Sequence, residues 1–534
     1  MKSPTLQPRW LLASVLFVGL GWACAGSHAQ PLDRPYSDAV SARFPAPAGV
    51  WDAPVFAAGR QHFTTNDELA EQLLQLRRLP TPALAQIGIV DVGRSQQDVP
   101  IRALRFSRGA GLPVVLLIGQ QHGDEPAGAE ALLMLARELA QPAKTAVDLS
   151  LVLERIEVIV LPRANPDGAE LSRRVASNGI DINRDHLLLR TPEAQALAGL
   201  VLQHRPVVVV DAHEHTVIGR YLQKFGALQR NDLLLQYAMT PNLPAAIGQA
   251  SEAWFRQPML AALAADGLSV EWYYTNPTAP GDLRLSMGGV QPDTSRNVQG
   301  LRHSISLLLE SRGVGIGRWH LERRVHSQLV ALRSVLRSAA EHAHELIALQ
   351  RAADAEVSGL ACKAEVVLQA ATTPTRRELL MLDPVTGADK AVAVQWDSAL
   401  QLQVLSQRAR PCGYWLAGSE RAAVNRLRSL GVQVSAIDAP TNLMSQAWIE
   451  RSRLEMARPD VRGSAADAER QIVRVEVDLR AEPFTAPAGS FYVTLTQPLA
   501  NLVVAAFEPD TQNSWFANRL LPTLAVVRRV MVTP

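Results

Sequence analysis

Three short runs, PVVLLIG (113–119), IEVIVLP (156–162) and PVVVVDAH (206–213), are nearly continuous in apolar and mostly branched side chains. A run of this kind has no polar face, so it fits a strand covered on both sides rather than one lying at a wet surface. The segments around these runs have helical period. DELAEQLLQLRRL (67–79), PAGAEALLMLARELA (126–140) and TPEAQALAGLVLQH (191–204) read as helices, with Pro126 suited to a first turn. Strand and helix in alternation predict an α/β fold, a mixed and largely parallel sheet covered by helices. A further strand, SISLLLE, is expected to end at Glu310 before the turn SRGVGIG. One long helix from about Trp319 to Ala353 then closes the domain.

From about residue 356 the pattern changes. AEVVLQA, AVAVQW, LQLQVLS, QIVRVEVDL and GSFYVTL predict short strands, interrupted by the helix–strand pair SERAAVNRLRSLGVQVSAI. A chain of 534 residues also exceeds what one core usually supports, so more than one folded unit is expected. The division is a signal peptide (1–29), an N-terminal extension (30–63), the α/β domain (64–354) and a smaller β-rich α+β domain (355–534).

The signal peptide is read from Lys2 and Arg9, the apolar run WLLASVLFVGLGWA, and SHAQ with its small residues. The run is about 14 residues, short of the ~20 that span a bilayer, so no stable membrane anchor is expected and the protein is periplasmic or secreted. Cys24 offers a lipoprotein alternative, but Gly21-Trp22-Ala23 lack the leucine usual before a lipidated cysteine. After cleavage only Cys362 and Cys412 remain, in a compartment where a pair can bond, with two buried thiols as the alternative. Removing Lys2 and Arg9 from the 53 basic residues leaves 51 against 51 acidic ones, a balance that does not suggest nucleic acid as a partner.

In open α/β sheets, ligands bind beyond the carboxyl ends of the strands. The ionisable residues collect there. His122 and Glu125 follow 113–119, Asn165-Pro166-Asp167-Gly168 follows 156–162, Asp211, His213, Glu214 and His215 close 206–210, and Glu310 closes its own run. H-x-x-E alone is weak, because Pro126 explains that turn without a metal. With His213 the group becomes two histidines and one carboxylate, a set that holds Zn²⁺ with an open position for water. Zinc so held polarises a carbonyl and acidifies water.

HGDE (122–125), NPDG (165–168), RVASNGIDINRD (174–185), VVDAHEH (209–215) and LLLESRG (307–313) resemble, in that order, the motifs of the M14 zinc carboxypeptidases, over roughly residues 64–320. The resemblance implies one Zn²⁺ per chain on His122, Glu125 and His213, with Asp181 holding the first histidine. It implies that Arg174, rather than Arg173, stabilises the oxyanion and that Asn183 and Arg184 grip the substrate's terminal carboxylate. Glu310 is then the general base. The implied activity is removal of the C-terminal residue from a peptide with a free α-carboxylate, and export adds cell-wall peptides as a substrate class. A zinc deacylase acting on N-acyl amino acids would use the same residues. A catalytically silent binding protein is the third reading, against which the intact ligand set and Glu310 argue.

The family's capping tyrosine has no clean counterpart. Tyr273 and Tyr274 in EWYYTNP lie far upstream of Glu310, and APGDLRLSMGGVQPDTSRN (279–297) reads as an irregular loop over the site, with Arg284 and Arg296 as extra substrate contacts. Asp211 and His215 either orient His213 or solvate its turn. His303, His320, His326, His342 and His344 read as structural.

Overall fold

The computed structural model describes residues 34–49, 51–79, 86–109, 111–141, 149–457 and 471–533. The segment read as a signal peptide, with Cys24, lies outside the described residues. β1 (Gln86–Arg94) and β2 (Pro100–Ser107) pair antiparallel, and the three apolar runs follow as β3 (Val114–Gly119), β4 (Glu157–Leu161) and β5 (Val208–Thr216). β6 (Leu233–Tyr237), β7 (Val270–Trp272), β8 (Tyr274–Thr275), β9 (Arg284–Met287) and β10 (Ile305–Val314) come next. The main sheet has the order β1-β2-β4-β3-β5-β10-β6-β7. Its centre, from β4 through β3 and β5 to β10, is parallel. The β1–β2, β2–β4 and β10–β6 pairs are antiparallel.

Alternation along the central strands feeds two cores. Val115, Leu117, Val158, Val160, Val208 and Val210 pack toward the helices Pro126–Ala140 and Leu321–Glu341. Leu116, Ile118, Ile159, Leu161 and Val209 pack toward Pro192–His204 on the opposite face. This two-sided burial is the physical reason these strands are apolar throughout.

Two expectations are corrected. β10 does not end at Glu310 but continues to Val314, because β5 extends alongside it: Glu310 pairs with His213, Ser311 with Glu214 and Arg312 with His215. The polar side chains survive burial because they find partners. Arg312 lies 3.5 Å over the Phe44 ring and donates to the Gln229 carbonyl. The long helix is also two, Leu321–Glu341 and Ala343–Ser358. They are separated at His342, whose ring stacks on Trp254 at 4.6 Å.

The first of the two helices is tied to the sheet by an ion pair. Arg324 grips Glu214 through Nε–Oε1 at 2.8 Å and Nη2–Oε2 at 2.9 Å, both side chains fully buried, and Glu214 also accepts from the Ala127 amide that opens Pro126–Ala140. Arg324→Met is therefore expected to leave a buried carboxylate without its guanidinium and to lose about 3–5 kcal/mol. Urea unfolding measures this, and adding Glu214→Gln should restore part of the loss. An unchanged midpoint in the single variant would refute it.

The remaining strands are β11 (Glu365–Leu382), β12 (Asp389–Ala409), β13 (Gly413–Leu416), β14 (Ser435–Ala436), β15 (Thr441–Ala457), β16 (Gln471–Ala486), β17 (Phe491–Thr494) and β18 (Val527–Val530). The region is β-rich as expected, but its strands are not all short: AVAVQW and LQLQVLS are two halves of β12. Six strands form a sheet in the order β14-β17-β13-β18-β15-β16, over a core that includes Tyr414, Phe507 and Trp515. The β11–β12 hairpin instead reaches back, with β12 pairing parallel to β9 at Gln395–Asp397. A Cys362–Cys412 disulfide closes the base of this hairpin.

Candidate active site

The loop after β3 and the loop after β4 interlock. A Cβ on Gly123 would lie 2.0 Å from the Gly168 carbonyl carbon, so only glycine lets HGDE approach NPDG this closely. Asn165 then braces three segments, accepting from the Gly168 amide and donating to the carbonyls of Gln121 and Arg174. The first two candidate ligands are thus carried on a rigid turn before Pro126.

His213 on β5 meets them. His122 Nδ1 is 3.0 Å from His213 Nδ1 and 3.0 Å from Glu125 Oε1, and His213 Nδ1 is 2.8 Å from Glu125 Oε2. The opposite ring nitrogens face carboxylates, His122 Nε2 on Asp181 Oδ1 at 3.0 Å and His213 Nε2 on Asp211 Oδ1 at 2.9 Å. A carboxylate behind each ring accepts a hydrogen bond from Nε2–H and so turns the Nδ1 lone pair inward. Two inward lone pairs and a carboxylate oxygen at these separations repel unless a cation lies between them. In protein atoms alone, burial opposes a charged His213, but Asp211 and Glu125 outweigh it and hold its pKa well above the ordinary histidine value. The site demands positive charge, and its donor set fits Zn²⁺.

Behind the centre, Asp211 also accepts from Gln121 Nε2 at 2.7 Å, and His186 Nε2 donates to Gln121 Oε1 at 2.7 Å. Burial pulls the His186 pKa down to about 4, which keeps it a neutral donor. Gln121 and His186 carry no sequence signal beyond their adjacency to the ligand motifs. Asp211 orients His213, whereas His215 lies against the Glu310 carbonyl.

Arg174 reaches the centre with Nη1 2.9 Å from His122 Nδ1, anchored on Asp181 by Nε and Nη2. Arg173 is exposed. Burial tends to raise the Asp181 pKa, but Arg174 and His122 hold it well below the ordinary carboxylate range. Asn183 lies 3.2 Å from His213 Nε2 through Nδ2 and accepts the Ser295 amide at 2.8 Å. Arg184 donates to the Asn183 carbonyl at 2.9 Å.

These groups open onto one cavity of about 320 Å³, lined among others by His122, Arg174, Asn183, Arg184, Tyr273 and Glu310. Of the residues the resemblance assigns, His122, Arg174, Asn183, Arg184 and Glu310 line the cavity, and Glu125, Asp181 and His213 lie against them. Ala370, Ala371 and Thr372 of β11 form a further wall, a contribution from the C-terminal region with no signal in the sequence. The stretch 279–297 is not an irregular loop: it holds β9, which pairs with β8 and β12, and the start of the helix Ser295–Leu301. Arg284 is not among the cavity residues; it is half exposed and paired with Asp282. Arg296 does line the cavity.

Residues 76–214 match the family model for M14 zinc carboxypeptidases, a span that contains all three residues of the metal-binding group. The chain carries an M14 zinc carboxypeptidase domain. With zinc as its metal it is a hydrolase of the metallocarboxypeptidase class. Carboxypeptidase 2 of Trichophyton equinum is 28% identical over 411 residues, 76% of this chain and 74% of the relative. That alignment is longer than the stretch preceding residue 355, so it takes in part of the β-rich region as well as the M14 domain. Carboxypeptidase D of Homo sapiens is 28% identical over 207 residues, 29% of this chain and 15% of the relative. The metallo-carboxypeptidase from Burkholderia cenocepacia aligns with 52% of this chain and 69% of its own, at 18% identity and a TM-score of 0.40.

Proposed function

We propose that the chain is an exported carboxypeptidase that hydrolyses the last peptide bond of substrates bearing a free α-carboxylate. The reading rests on one observation: the convergent His122–Glu125–His213 group shares a cavity with Arg174, Asn183, Arg184 and Glu310. Zinc held by the three ligands supplies Lewis acidity to the scissile carbonyl and to water. Arg184, with Asn183 beside it, offers the terminal carboxylate a pair of charge-assisted hydrogen bonds and so would set which bond is presented to the His122–Glu125–His213 group. Arg174 presents N–H groups beside His122 and Glu125, where negative charge would grow on the carbonyl oxygen only after attack. Glu310 takes a proton from the attacking water and passes it to the leaving amine. The 355–534 region, read as an accessory domain, contributes Ala370–Thr372 to the cleft wall. Export is supported by the charged and apolar N-terminal segment and by the Cys362–Cys412 disulfide, which suits an oxidising compartment.

Mass spectrometry of a mixed peptide library tests the reading, with each peptide present as free acid and as C-terminal amide. Stepwise loss of C-terminal residues is expected from the acids. The amides, lacking the charge that Arg184 recognises, should react about 10–100-fold more slowly. Intact peptides alongside cleaved N-acyl amino acids would overturn it in favour of the deacylase.

A further inference from the structure

The cavity holds one arginine that this mechanism does not use. Arg296 is the second residue of the helix Ser295–Leu301, whose first amide is fixed to Asn183 Oδ1 at 2.8 Å. The guanidinium is thereby registered to the Asn183-Arg184 pair. It is 4% exposed, lines the cavity, and forms no ion pair with any carboxylate among the described residues. Nη2 donates to the Gly289 carbonyl at 2.9 Å, and Nε has no acceptor among the described residues. A Cβ on Gly288 would come within 2.9 Å of Gln236 Oε1, Tyr273 Cδ1 and Arg296 Nη2, so glycine keeps open the space in which these three side chains end.

A buried guanidinium with no directly bonded carboxylate is costly, and burial together with the repulsion of Arg184 brings the Arg296 pKa down to about 10 even though Tyr273 and, at longer range, Glu310 and Asp211 favour the charge. Thr275, Ser286, Gln291 and Thr294 line the same space together with Met287, Val290 and Leu308, so hydrogen-bonding and apolar side chains both surround the guanidinium's cavity. One cavity therefore presents three guanidiniums, Arg174 turned to the His122–Glu125–His213 group, and Arg184 and Arg296, which are left for the carboxylates of a substrate. A C-terminal residue with a neutral side chain brings one negative charge to them, and an acidic residue brings two.

We infer that Arg296 selects substrates whose C-terminal residue is acidic, by pairing its guanidinium with the side-chain carboxylate while Arg184 holds the α-carboxylate. This inference rests on the carboxypeptidase reading and adds a substrate class to it. Arg296 is a specificity-determining group, not a catalytic one, and its removal should alter discrimination rather than the chemical step.

The test compares kcat/KM on peptides identical except for a final Glu, Gln or Leu. The wild-type enzyme is expected to prefer Glu over Gln by about tenfold or more, the scale of a buried charge-assisted hydrogen bond. Arg296→Met should bring that ratio near one while leaving the Gln and Leu peptides within a few-fold of wild type, and Arg296→Lys should fall between. Calorimetry of the zinc-loaded wild-type enzyme with L-glutamate and L-glutamine gives a second readout that needs no variant, with tighter glutamate binding expected. An equal loss on all three peptides in Arg296→Met, or a wild-type enzyme indifferent to the final side chain, overturns the inference and leaves the carboxypeptidase reading intact. Failure to trim any of the peptides removes both.

Discussion

Glu310→Gln is expected to bind zinc and unfold at the wild-type midpoint while losing about 10²–10⁴ of kcat, the range contributed by a positioned general base. The geometry separates this residue from the metal's own shell. Glu310 is paired in register with His213 on the neighbouring strand, so it is carried to the centre by the sheet and not by a mobile loop. It is 4% exposed and opens onto the cavity beside Arg184 and Tyr273. Glutamine keeps the shape, so the packing of β10 has no reason to change. Its neutral amide, though, cannot accept the proton of the attacking water. Zinc content by mass spectrometry and kcat on a free-acid peptide measure the two halves of the prediction. Full activity in a zinc-loaded variant would take Glu310 out of the reaction, and loss of zinc would make it part of the metal site.

How far such roles can be read without coordinates depends on whether a local pattern or a distant partner dictates the residue. β3, β4 and β5 are legible because each is buried on both faces, which leaves an unbroken apolar run. His122, Glu125 and His213 stand out for the converse reason, as ionisable groups placed where those runs stop. The end of β10 misleads because Ser311 and Arg312 look like turn residues. Their burial depends on β5, Gln229 and Phe44, which lie far away in sequence. The same holds for the β9–β12 pairing that brings Ala370–Thr372 to the cleft: no periodicity in either segment announces the other. His342 sits in a stretch of sustained helical period, and only its stacking on Trp254 marks the break. Arg296 is a middle case. Its residue type and neighbourhood suggested a substrate contact, but so did those of Arg284, and only the Asp282 pairing separates them.

Removal of the metal should have the other large effect, and on two observables at once. Asp181, Asp211 and Glu125 are buried around the two histidines, and Arg174 is bonded directly to Asp181 and Glu125. With both imidazoles neutral, three negative charges face one positive, a deficit of two that Zn²⁺ would supply, whereas a proton on His213 supplies only one. Chelation is therefore expected to abolish peptide trimming and also to lower the unfolding midpoint, since the apo site keeps uncompensated carboxylates in a medium that penalises them. Zinc at a hundred times its Kd should add about 2.7 kcal/mol of stability, and re-addition should restore both activity and midpoint. His213→Ala makes the same point within the chain: it deletes one ligand and leaves Asp211 with Gln121 as its remaining side-chain donor, so zinc should be lost and added metal should no longer restore activity. A chelated enzyme that still trims peptides would show that the His122–Glu125–His213 group does not hold the working metal. Unchanged stability with lost activity would instead mean that protons taken up by the histidines compensate the carboxylates as well as zinc does.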